Sequence, residues 1–402
     1  MLSQKTIEII KSTVPVLEVH GTTITTVFYK NLFEAYPELL NIFNHANQKK
    51  GRQQHALANT VLAAAKHIDQ LETILPVVKQ IAQKHRSLAV KPEHYPVVGE
   101  YLLAAIKEVL QEAATEEILQ AWGEAYGVIA GVFISIEKEM YDQASKQEGG
   151  WDDFKPFTVV KKVPESDVIT SFYLKPANGE GIPAFLPGQY VTVRIAIPGE
   201  HYLFNRQYSL SDAAGKDYFR ISVKKERTES SPDGRVSNYL HDSIQVGDSL
   251  DLTAPAGHFT IDLEKRTPVV FLGGGVGITP FMSMVHAVAN QTPDRDVQFI
   301  HASDNGKVQP FRRELTGLGQ KLESYQLAFV FKNPEKEDKQ LQNFVKEGYM
   351  DKELLSLHVK PDADYYICGP VPFMKAIITC LKELGVEPDN IHYEFFGPAM
   401  PL

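Results

Sequence analysis

The sequence predicts three successive domains of different fold class: an all-α domain, an antiparallel β domain, and an open α/β domain with a parallel sheet. Residues 6–140 repeat their apolar positions at helical spacings of three and four. Residues 151–265 contain short strand-like runs that are divided by Pro, Gly and Asp. From residue 267 onward, near-continuous apolar runs alternate with helical stretches, as in parallel sheets buried on both faces. A chain of 402 residues is also too long for a single core.

Composition excludes several classes of protein. The net charge of −9 argues against nucleic acid or an anionic membrane as the main partner, because both attract clustered Lys and Arg. No run of about 18 apolar residues predicts a membrane span. Glu8 and Lys11 interrupt what a secretory signal would keep apolar. The two cysteines, Cys368 and Cys380, suit a reducing compartment, so we expect a cytoplasmic protein without stable membrane insertion.

In the α domain, one histidine lies on an apolar helix face. His85 follows residues that recur at helical spacing on that face: Leu71, Ile74, Leu75, Val78 and Ile81. A lone histidine in such a place is ordinarily a core or edge residue, and this interpretation stays open for His85 alone. Haem iron requires an imidazole on one side and a shaped pocket on the other. Residues suited to that pocket are Tyr29, Phe43, Gln53 and Leu57.

Residues 147–150, which end in paired glycines, predict a linker to the β domain. One predicted strand there combines a guanidinium for a phosphate, an aromatic ring and a hydroxyl: Arg206, Gln207, Tyr208 and Ser209. An ordinary surface strand with an exposed arginine is the alternative for this motif taken alone.

The α/β domain contains a glycine-rich turn between an apolar strand and a helix predicted over Phe281–Ala289. The turn consists of Gly273, Gly274, Gly275, Val276, Gly277, Ile278 and Thr279. Its glycines allow a pyrophosphate to approach the backbone at a helix N-terminus, with Thr279 as a cap and Pro280 in the first helical position. A tight turn without ligand remains the alternative.

After the last long apolar strand come Cys368, Gly369 and Pro370, where ligands bind in open α/β sheets. The Cys368 thiol lines a nicotinamide pocket, or it is simply a small buried side chain.

The order of these motifs resembles the ferredoxin-NADP reductase family. The resemblance implies that Tyr208 packs on the flavin ring of FAD and that Arg206 binds its pyrophosphate. Further positions that match the family are Tyr190, Gly234, Val236, Ser237, Glu394, Phe395, Phe396, Gly397 and Pro398. It also implies that hydride passes from a nicotinamide to FAD, which then releases electrons singly.

Residues 1 to about 147 resemble the globin domain of bacterial flavohaemoglobins, and the whole chain matches that family in length and domain order. The resemblance implies a globin domain over 1–147, an FAD-binding β-barrel over 151–265 and an NAD(P)H-binding α/β domain over 266–402. It makes His85 the proximal haem ligand and makes Tyr95 and Glu137 a relay on the same side of the haem. On the distal side, it implies that Tyr29 and Gln53 form a polar pair and that Leu57 forms an apolar wall. It also implies that Phe43 packs on the haem. Lys84 also matches a family position, although a solvated helix lysine explains it equally well.

The implied function is nitric oxide dioxygenase: NO and O2 become nitrate at one haem b, with electrons from NADH or NADPH passed through one FAD. The substrates would be small molecules, and no obligate protein partner is expected. One alternative is an oxygen-binding or sensing globin, although a sensor needs an output module and this chain offers an electron supply instead. Another is a flavin reductase that serves external acceptors such as quinones, ferric chelates or hydroperoxides.

Overall fold

A computed structural model describes residues 2–43, 45–226, 234–360 and 362–397. Along the chain, a set of helices is followed by a six-stranded sheet with antiparallel pairs and then by a six-stranded parallel sheet. The fold class predicted from the sequence, all-α followed by antiparallel β and then open α/β, is therefore confirmed.

The helical part consists of seven α-helices among the described residues: α1 (Gln4–Ser12), α2 (Val14–Ala35), α3 (His45–Lys49), α4 (Arg52–Lys66), α5 (Leu75–Ser87), α6 (His94–Leu110) and α7 (Glu116–Lys146). Side chains cap two of them: Ser3 Oγ accepts from the Thr6 amide at 3.0 Å, and Thr115 Oγ1 accepts from the Ile118 amide at 3.3 Å. Helix α2 packs against α4 and α6 around the buried side chains of the core. The predicted apolar face before His85 is divided, because Leu71–Ile74 forms a 3-10 turn and α5 begins only at Leu75.

Helix α7 has the length and apolar composition of a membrane span. Its buried residues, among them Trp122 and Phe133, belong to the two apolar clusters of the helical part. A carboxylate, Glu137, is also buried on this helix and accepts a hydrogen bond from the Tyr95 hydroxyl. The apolar face of α7 is thus explained by packing inside the helical part.

The first sheet is built from β1 (Phe154–Pro164), β2 (Ile169–Pro176), β3 (Tyr190–Ile195), β4 (Phe204–Ser209), β5 (Phe219–Lys224) and β6 (Ser249–Thr253). The strand order is β4-β3-β6-β1-β2-β5. An isolated antiparallel bridge joins Leu210, just after β4, to Ile221 on β5, so the two edge strands also meet as in a barrel. One helix, α8 (Gly234–Asp242), follows β5 and packs against it.

The second sheet has strands β7 (Val269–Gly274), β8 (Val297–Ser303), β9 (Tyr325–Phe331), β10 (Phe344–Glu347), β11 (Asp364–Cys368) and β12 (Ile391–Glu394). Helices α9 (Thr279–Gln291), α10 (Arg312–Leu318), α11 (Lys352–Ser356) and α12 (Val371–Glu383) lie between them. The order β10-β9-β8-β7-β11-β12 is parallel throughout. The chain moves from β7 to β8 on one side and returns to β11 on the other, so the topological switch point lies between β7 and β11.

The prediction that Thr279 caps α9 is wrong. A 3-10 turn over Gly275–Ile278 already gives the backbone a helical conformation, so α9 begins at Thr279 itself. The Thr279 hydroxyl donates to the Val276 carbonyl at 3.0 Å instead of accepting from a helix amide. Pro280 remains in the first turn, where its missing N–H costs no helical hydrogen bond.

Backbone contacts divide the described chain into two compact units. One contains residues 2–154, 192–206 and 397, and the other contains residues 155–191 and 207–396.

Candidate functional site

The side chains of His85, Tyr95 and Glu137, from three different helices, meet in the helical part. His85 lies in the last turn of α5, and its Nδ1 is 2.7 Å from Glu137 Oε1 and 3.1 Å from the Tyr95 hydroxyl. The Tyr95 hydroxyl donates to the same Glu137 oxygen at 2.5 Å. Burial, and next the charge of Glu137, raise the pKa of Tyr95, which therefore remains a neutral donor. This network holds the imidazole through Nδ1 and does not involve Nε2, which is the nitrogen that would ligate iron.

An aromatic cluster surrounds Tyr29 on α2. The Tyr29 ring lies 5.7 Å from the rings of Phe33 and Phe43, and these two rings are 5.2 Å apart. Tyr29 is buried, and burial raises the pKa of its hydroxyl, so the group stays a neutral hydrogen-bond donor. The structure thus brings Tyr29 and Phe43 together, as the predicted pocket requires.

Gln53 and Leu57 share one face of α4, the helix that packs on α2. The Thr25 hydroxyl donates to the Gln54 carbonyl at 2.9 Å and ties the two helices together next to Gln53. Gln53 Oε1 is buried and has no hydrogen-bond partner among the described residues. A buried unpaired oxygen costs about 1–3 kcal/mol, so its presence fits a pocket that a bound group completes.

Lys84, the neighbour of His85, donates through Nζ to the carbonyl oxygen of Gly397. Both residues were predicted to contact cofactors, and both belong to the first compact unit. The lysine is therefore partly buried and hydrogen-bonded, unlike a fully solvated helix lysine.

The predicted flavin strand is β4, which carries Arg206, Gln207, Tyr208 and Ser209 in succession. Tyr190 begins β3, the neighbour of β4 in the sheet. The Leu210 amide donates to the Gln189 carbonyl at 2.9 Å, which brings the end of β4 beside Tyr190. Tyr190 therefore lies next to the end of the strand that carries Tyr208 and Ser209.

The segment with Gly234, Val236 and Ser237 forms the first turn of α8. The Ser237 hydroxyl accepts from the Glu226 amide at 3.2 Å and donates to the Gly234 carbonyl at 3.1 Å. These bonds hold the N-terminus of α8 against the segment that follows β5. Helix N-termini favour phosphate because their amide groups and dipole are positive.

The glycine-rich turn and the Cys368 segment meet at the switch point, where Gly273 on β7 pairs with Cys368 on β11. A Cβ on Gly277 would lie 2.2 Å from the Cys368 carbonyl oxygen and 2.6 Å from the Gly369 nitrogen. A Cβ on Gly369 would in turn lie 3.1 Å from the Gly274 Cα. Only glycines permit this close approach of two backbones at the switch point.

The Cys368 thiol is fully buried in the apolar cluster of α9 and the sheet. Burial raises the pKa of this thiol well above its usual range, so it is a neutral apolar group. The residue therefore reaches the turn through its backbone. Pro370 follows as the N-cap of α12.

The C-terminal segment begins on β12, where Glu394 pairs with Cys368 in register. Phe395 packs on the apolar cluster of the sheet, whereas Phe396 is 44% exposed. An exposed aromatic ring just after β12 is available to a ligand. Pro398 lies outside the described residues.

Two residues that support these sites were not predicted. Gly257 has φ +116°, and a Cβ there would meet the Tyr190 ring at 3.0 Å. The Ser283 hydroxyl on α9 accepts from the Gly188 amide at 2.8 Å. A glycine two residues after Pro255 is a turn signal in the sequence for Gly257, whereas nothing in the sequence distinguishes Ser283.

Comparisons with known families match all three parts of the chain. Residues 26–133 match the family described as Globin, residues 156–261 match the oxidoreductase FAD-binding domain, and residues 271–379 match the oxidoreductase NAD-binding domain. Over 403 aligned residues, the chain is 57% identical to a flavohemoprotein of Bacillus thuringiensis subsp. konkukian, with 100% of each chain covered. A flavohemoprotein of Bacillus subtilis is 52% identical, with 100% of this chain and 99% of the relative covered.

The chain belongs to the flavohemoprotein family. It is accordingly an oxidoreductase with a globin domain and an FAD- and NAD-dependent reductase part, and its cofactors are haem, FAD and a nicotinamide dinucleotide.

Two solved structures agree with this assignment. The flavohemoglobin of Malassezia yamatoensis, solved with bound FAD and heme, matches with a TM-score of 0.86 and 28% identity, covering 98% of this chain and 100% of its own. The flavohem-like FAD/NAD binding domain of nitric oxide dioxygenase from Vibrio cholerae matches with a TM-score of 0.55 and 36% identity. That match covers 61% of this flavohemoprotein and 100% of the Vibrio chain.

Proposed function

We propose that this flavohemoprotein is a nitric oxide dioxygenase, which converts NO and O2 to nitrate with electrons that pass from NADH or NADPH through FAD to haem. The observation that carries the proposal is the combination, within one helical domain, of an anchored His85, a buried donor, Tyr29, and a buried amide oxygen, Gln53 Oε1, that has no partner among the described residues. The Vibrio cholerae relative of the reductase part is itself described as a nitric oxide dioxygenase, which supports the same substrate.

Each residue of the proposed haem site has a separate chemical role. Haem, when bound, supplies an iron that takes up O2 and accepts single electrons. Glu137 holds the Nδ1 proton of His85 and makes the ring a stronger electron donor through Nε2. Tyr29 donates a hydrogen bond in a buried pocket, where a fixed donor stabilises developing negative charge more strongly than water does. Gln53 completes that pocket with an amide, and Phe43 and Leu57 exclude water from it.

On the reductase side, we propose that Tyr190, Arg206, Tyr208 and Ser209 hold FAD and that the first turn of α8 binds its phosphate. The glycine-rich turn and residues 368–370 would hold the nicotinamide dinucleotide, next to Glu394. The domain boundaries that follow are 1–147, 151–265 and 266–402. A cytoplasmic location is proposed as well, because both cysteines of the chain are free thiols.

Substitution Tyr29→Phe tests the distal role. Loss of a hydrogen bond to a charged acceptor is worth about 1.5–3 kcal/mol, so the O2 dissociation rate should rise about tenfold or more and nitrate formation should fall. Tyr36→Phe is the matched control, because Tyr36 lies at the end of α2 against Tyr101, 5.8 Å away. Stopped-flow O2 dissociation that is unchanged in Tyr29→Phe would contradict the proposed role.

His85→Ala separates the dioxygenase from a reductase that serves external acceptors. The variant should keep NADH oxidation with ferricyanide and lose NO consumption, since the proposed iron ligand is removed. If it consumes NO at the normal rate, NO dioxygenation at His85-bound haem is wrong. If wild-type NADH oxidation does not respond to NO at all, the reductase alternative stands instead.

A further inference from the structure

A fully buried histidine lies directly under the glycine-rich turn. His301 is on β8 and pairs in register with Gly273 on β7. A Cβ on Gly273 would lie 3.0 Å from His301 Cδ2, so the imidazole lies close to the start of the turn. Sequence analysis did not single out this residue.

Both ring nitrogens of His301 have specific partners. Nε2 is 2.8 Å from the carbonyl oxygen of Gly275, and Nδ1 is 2.7 Å from Gln309 Oε1. Gln309 is itself buried and is held in place by the Pro310 carbonyl, which accepts from its amide nitrogen at 3.1 Å. Burial lowers the pKa of His301, so the ring is neutral at pH 7 and has one proton for two acceptor atoms. We assign this proton to Nε2, because the Gly275 carbonyl can only accept, and Nδ1 then faces Gln309 without a proton.

The partner of Nε2 occupies an unusual backbone position. Gly275 has φ +56°, in the left-handed region that only glycine adopts readily, and it begins the 3-10 turn that leads into α9. A trans peptide is planar, and its C=O and N–H point in opposite directions. Because the Gly275 carbonyl points down to His301, the Val276 amide of the same peptide must point away from it. A proton on Nε2 therefore fixes where this amide is aimed.

We propose that His301 is a positioning residue for the nicotinamide dinucleotide: its Nε2–H holds the peptide between Gly275 and Val276 so that the Val276 amide faces the pyrophosphate. The inference rests on the NAD-binding assignment of residues 271–379 and goes beyond it by assigning a role to a residue that does not touch the dinucleotide. Because the amide already faces the anion site, no free energy is spent on reorienting the peptide when the anion binds. His301 thus acts through the turn and is not a catalytic residue.

Two isosteric substitutions test the bond. The amide of His301→Gln reaches the position of Nε2 and can still donate to Gly275, whereas that of His301→Asn reaches only the position of Nδ1. In the full chain loaded with haem and FAD, ADP-ribose binding is measured by calorimetry and the KM for NADH by ferricyanide reduction. His301→Asn should weaken ADP-ribose about tenfold, or about 1.4 kcal/mol, and raise KM similarly, with kcat at saturating NADH unchanged. His301→Gln should stay within about threefold of wild type.

His301→Met provides a second loss variant that fills a similar volume without an N–H donor, and it replaces His301→Asn if that variant does not fold. The control is His358→Gln, a half-buried histidine that is not near the turn's carbonyls. Equal loss of affinity in His301→Gln and His301→Met would show that ring packing matters and overturn the assigned bond. Wild-type ADP-ribose affinity in the Met or Asn variant would overturn it as well.

Discussion

At the scale of single residues, Glu137 is a buried carboxylate whose two partners, His85 and Tyr95, come from different helices. In low dielectric a charge is retained only where hydrogen bonds compensate for its lost hydration. The two hydrogen bonds to Glu137 compensate for its lost hydration and also orient the imidazole of His85. The sequence singled out His85 by its apolar helix face, but it placed Tyr95 and Glu137 beside His85 by resemblance alone, because residues 85, 95 and 137 are too far apart for spacing to relate them.

Glu137→Gln should weaken the electron donation of His85, because a neutral amide does not hold the Nδ1 proton as a carboxylate does. We expect a lower iron–histidine stretching frequency by resonance Raman and an O2 affinity reduced by about tenfold. Glu139→Gln, an exposed position on the same helix, serves as the control. An iron–histidine frequency equal to that of wild type would rule out the relay.

At the scale of elements, the segment around Asn41 is tied to the start of β4 within the first compact unit. Asn205 is buried, donates to the carbonyls of Asn41 and Ile42 at 2.9 and 3.1 Å, and accepts from Arg194 Nε at 3.2 Å. The Leu203 amide donates to Asn41 Oδ1 at 2.8 Å. These bonds define the path of the chain that leads into Phe43.

Asn205→Ala removes the donor for two carbonyls and the acceptor for Arg194. The free energy of unfolding should fall by about 1–3 kcal/mol, the usual cost of buried polar groups left unpaired. The midpoint of urea unfolding measures this, with Asn59→Ala on the exposed face of α4 as the control. A midpoint as high as that of Asn59→Ala would mean that water replaces the lost bonds.

The glycine-rich turn gives a second prediction at this scale. Gly277→Ala would place a Cβ 2.2 Å from the Cys368 carbonyl, and neither backbone can move without disturbing β7 or β11. We expect ADP-ribose binding to be lost and the melting temperature to fall. Gly317→Ala on α10, where the same construction meets nothing within 4 Å, should leave both measurements unchanged. Unimpaired ADP-ribose binding in Gly277→Ala would exclude the turn as the dinucleotide site.

At the scale of the whole molecule, charges connect the first sheet to two helices of the α/β part inside the second compact unit. Arg220 on β5 donates to both carboxylate oxygens of Glu314 on α10, at 3.0 and 2.9 Å, and His286 on α9 lies 2.5 Å from the same carboxylate. Asp212 is 3.8 Å from the guanidinium. The carboxylates and histidine have the composition of a metal site, but the buried guanidinium supplies the positive charge there.

This network predicts a dependence of stability on pH. Burial alone would raise the pKa of Glu314, but hydrogen bonds from His286 and Arg220 outweigh it and lower the pKa from 4.5 to about 2. A lowered pKa stabilises the fold above the unfolded value, so this contribution is full above pH 4.5 and is lost as pH falls toward 2. Glu314→Gln should cost about 3 kcal/mol or more at pH 7, because a buried guanidinium loses its partner.

The measurement is the melting temperature of wild type and Glu314→Gln from pH 7 to 3. The difference between them should shrink as the pH falls below 4.5. Glu323→Gln, an exposed position after α10, should behave like wild type throughout. A difference that does not change with pH would show that the Glu314 charge does not carry the effect.

The sequence by itself determined the three fold classes and their order, and it supplied candidate residues partly from local pattern and partly by resemblance to a family. This was possible because periodicity of apolar residues and glycine motifs are local properties, set by helix and strand geometry. The predicted start of α9 was two residues too late, because a 3-10 turn before a helix leaves no distinct local pattern in the sequence.

Only the tertiary structure decided which distant residues meet. The Glu137 hydrogen bonds to His85 and Tyr95, the Asn205 bond to Asn41, the Arg220–Glu314 pair and His301 under Gly275 join residues that are 26 to 164 positions apart, on different elements. Such contacts depend on how helices and sheets pack, and packing is a property of the whole core that no short window of sequence contains. Burial then decides the chemistry, since the same histidine, tyrosine or carboxylate would be an ordinary solvated group on the surface.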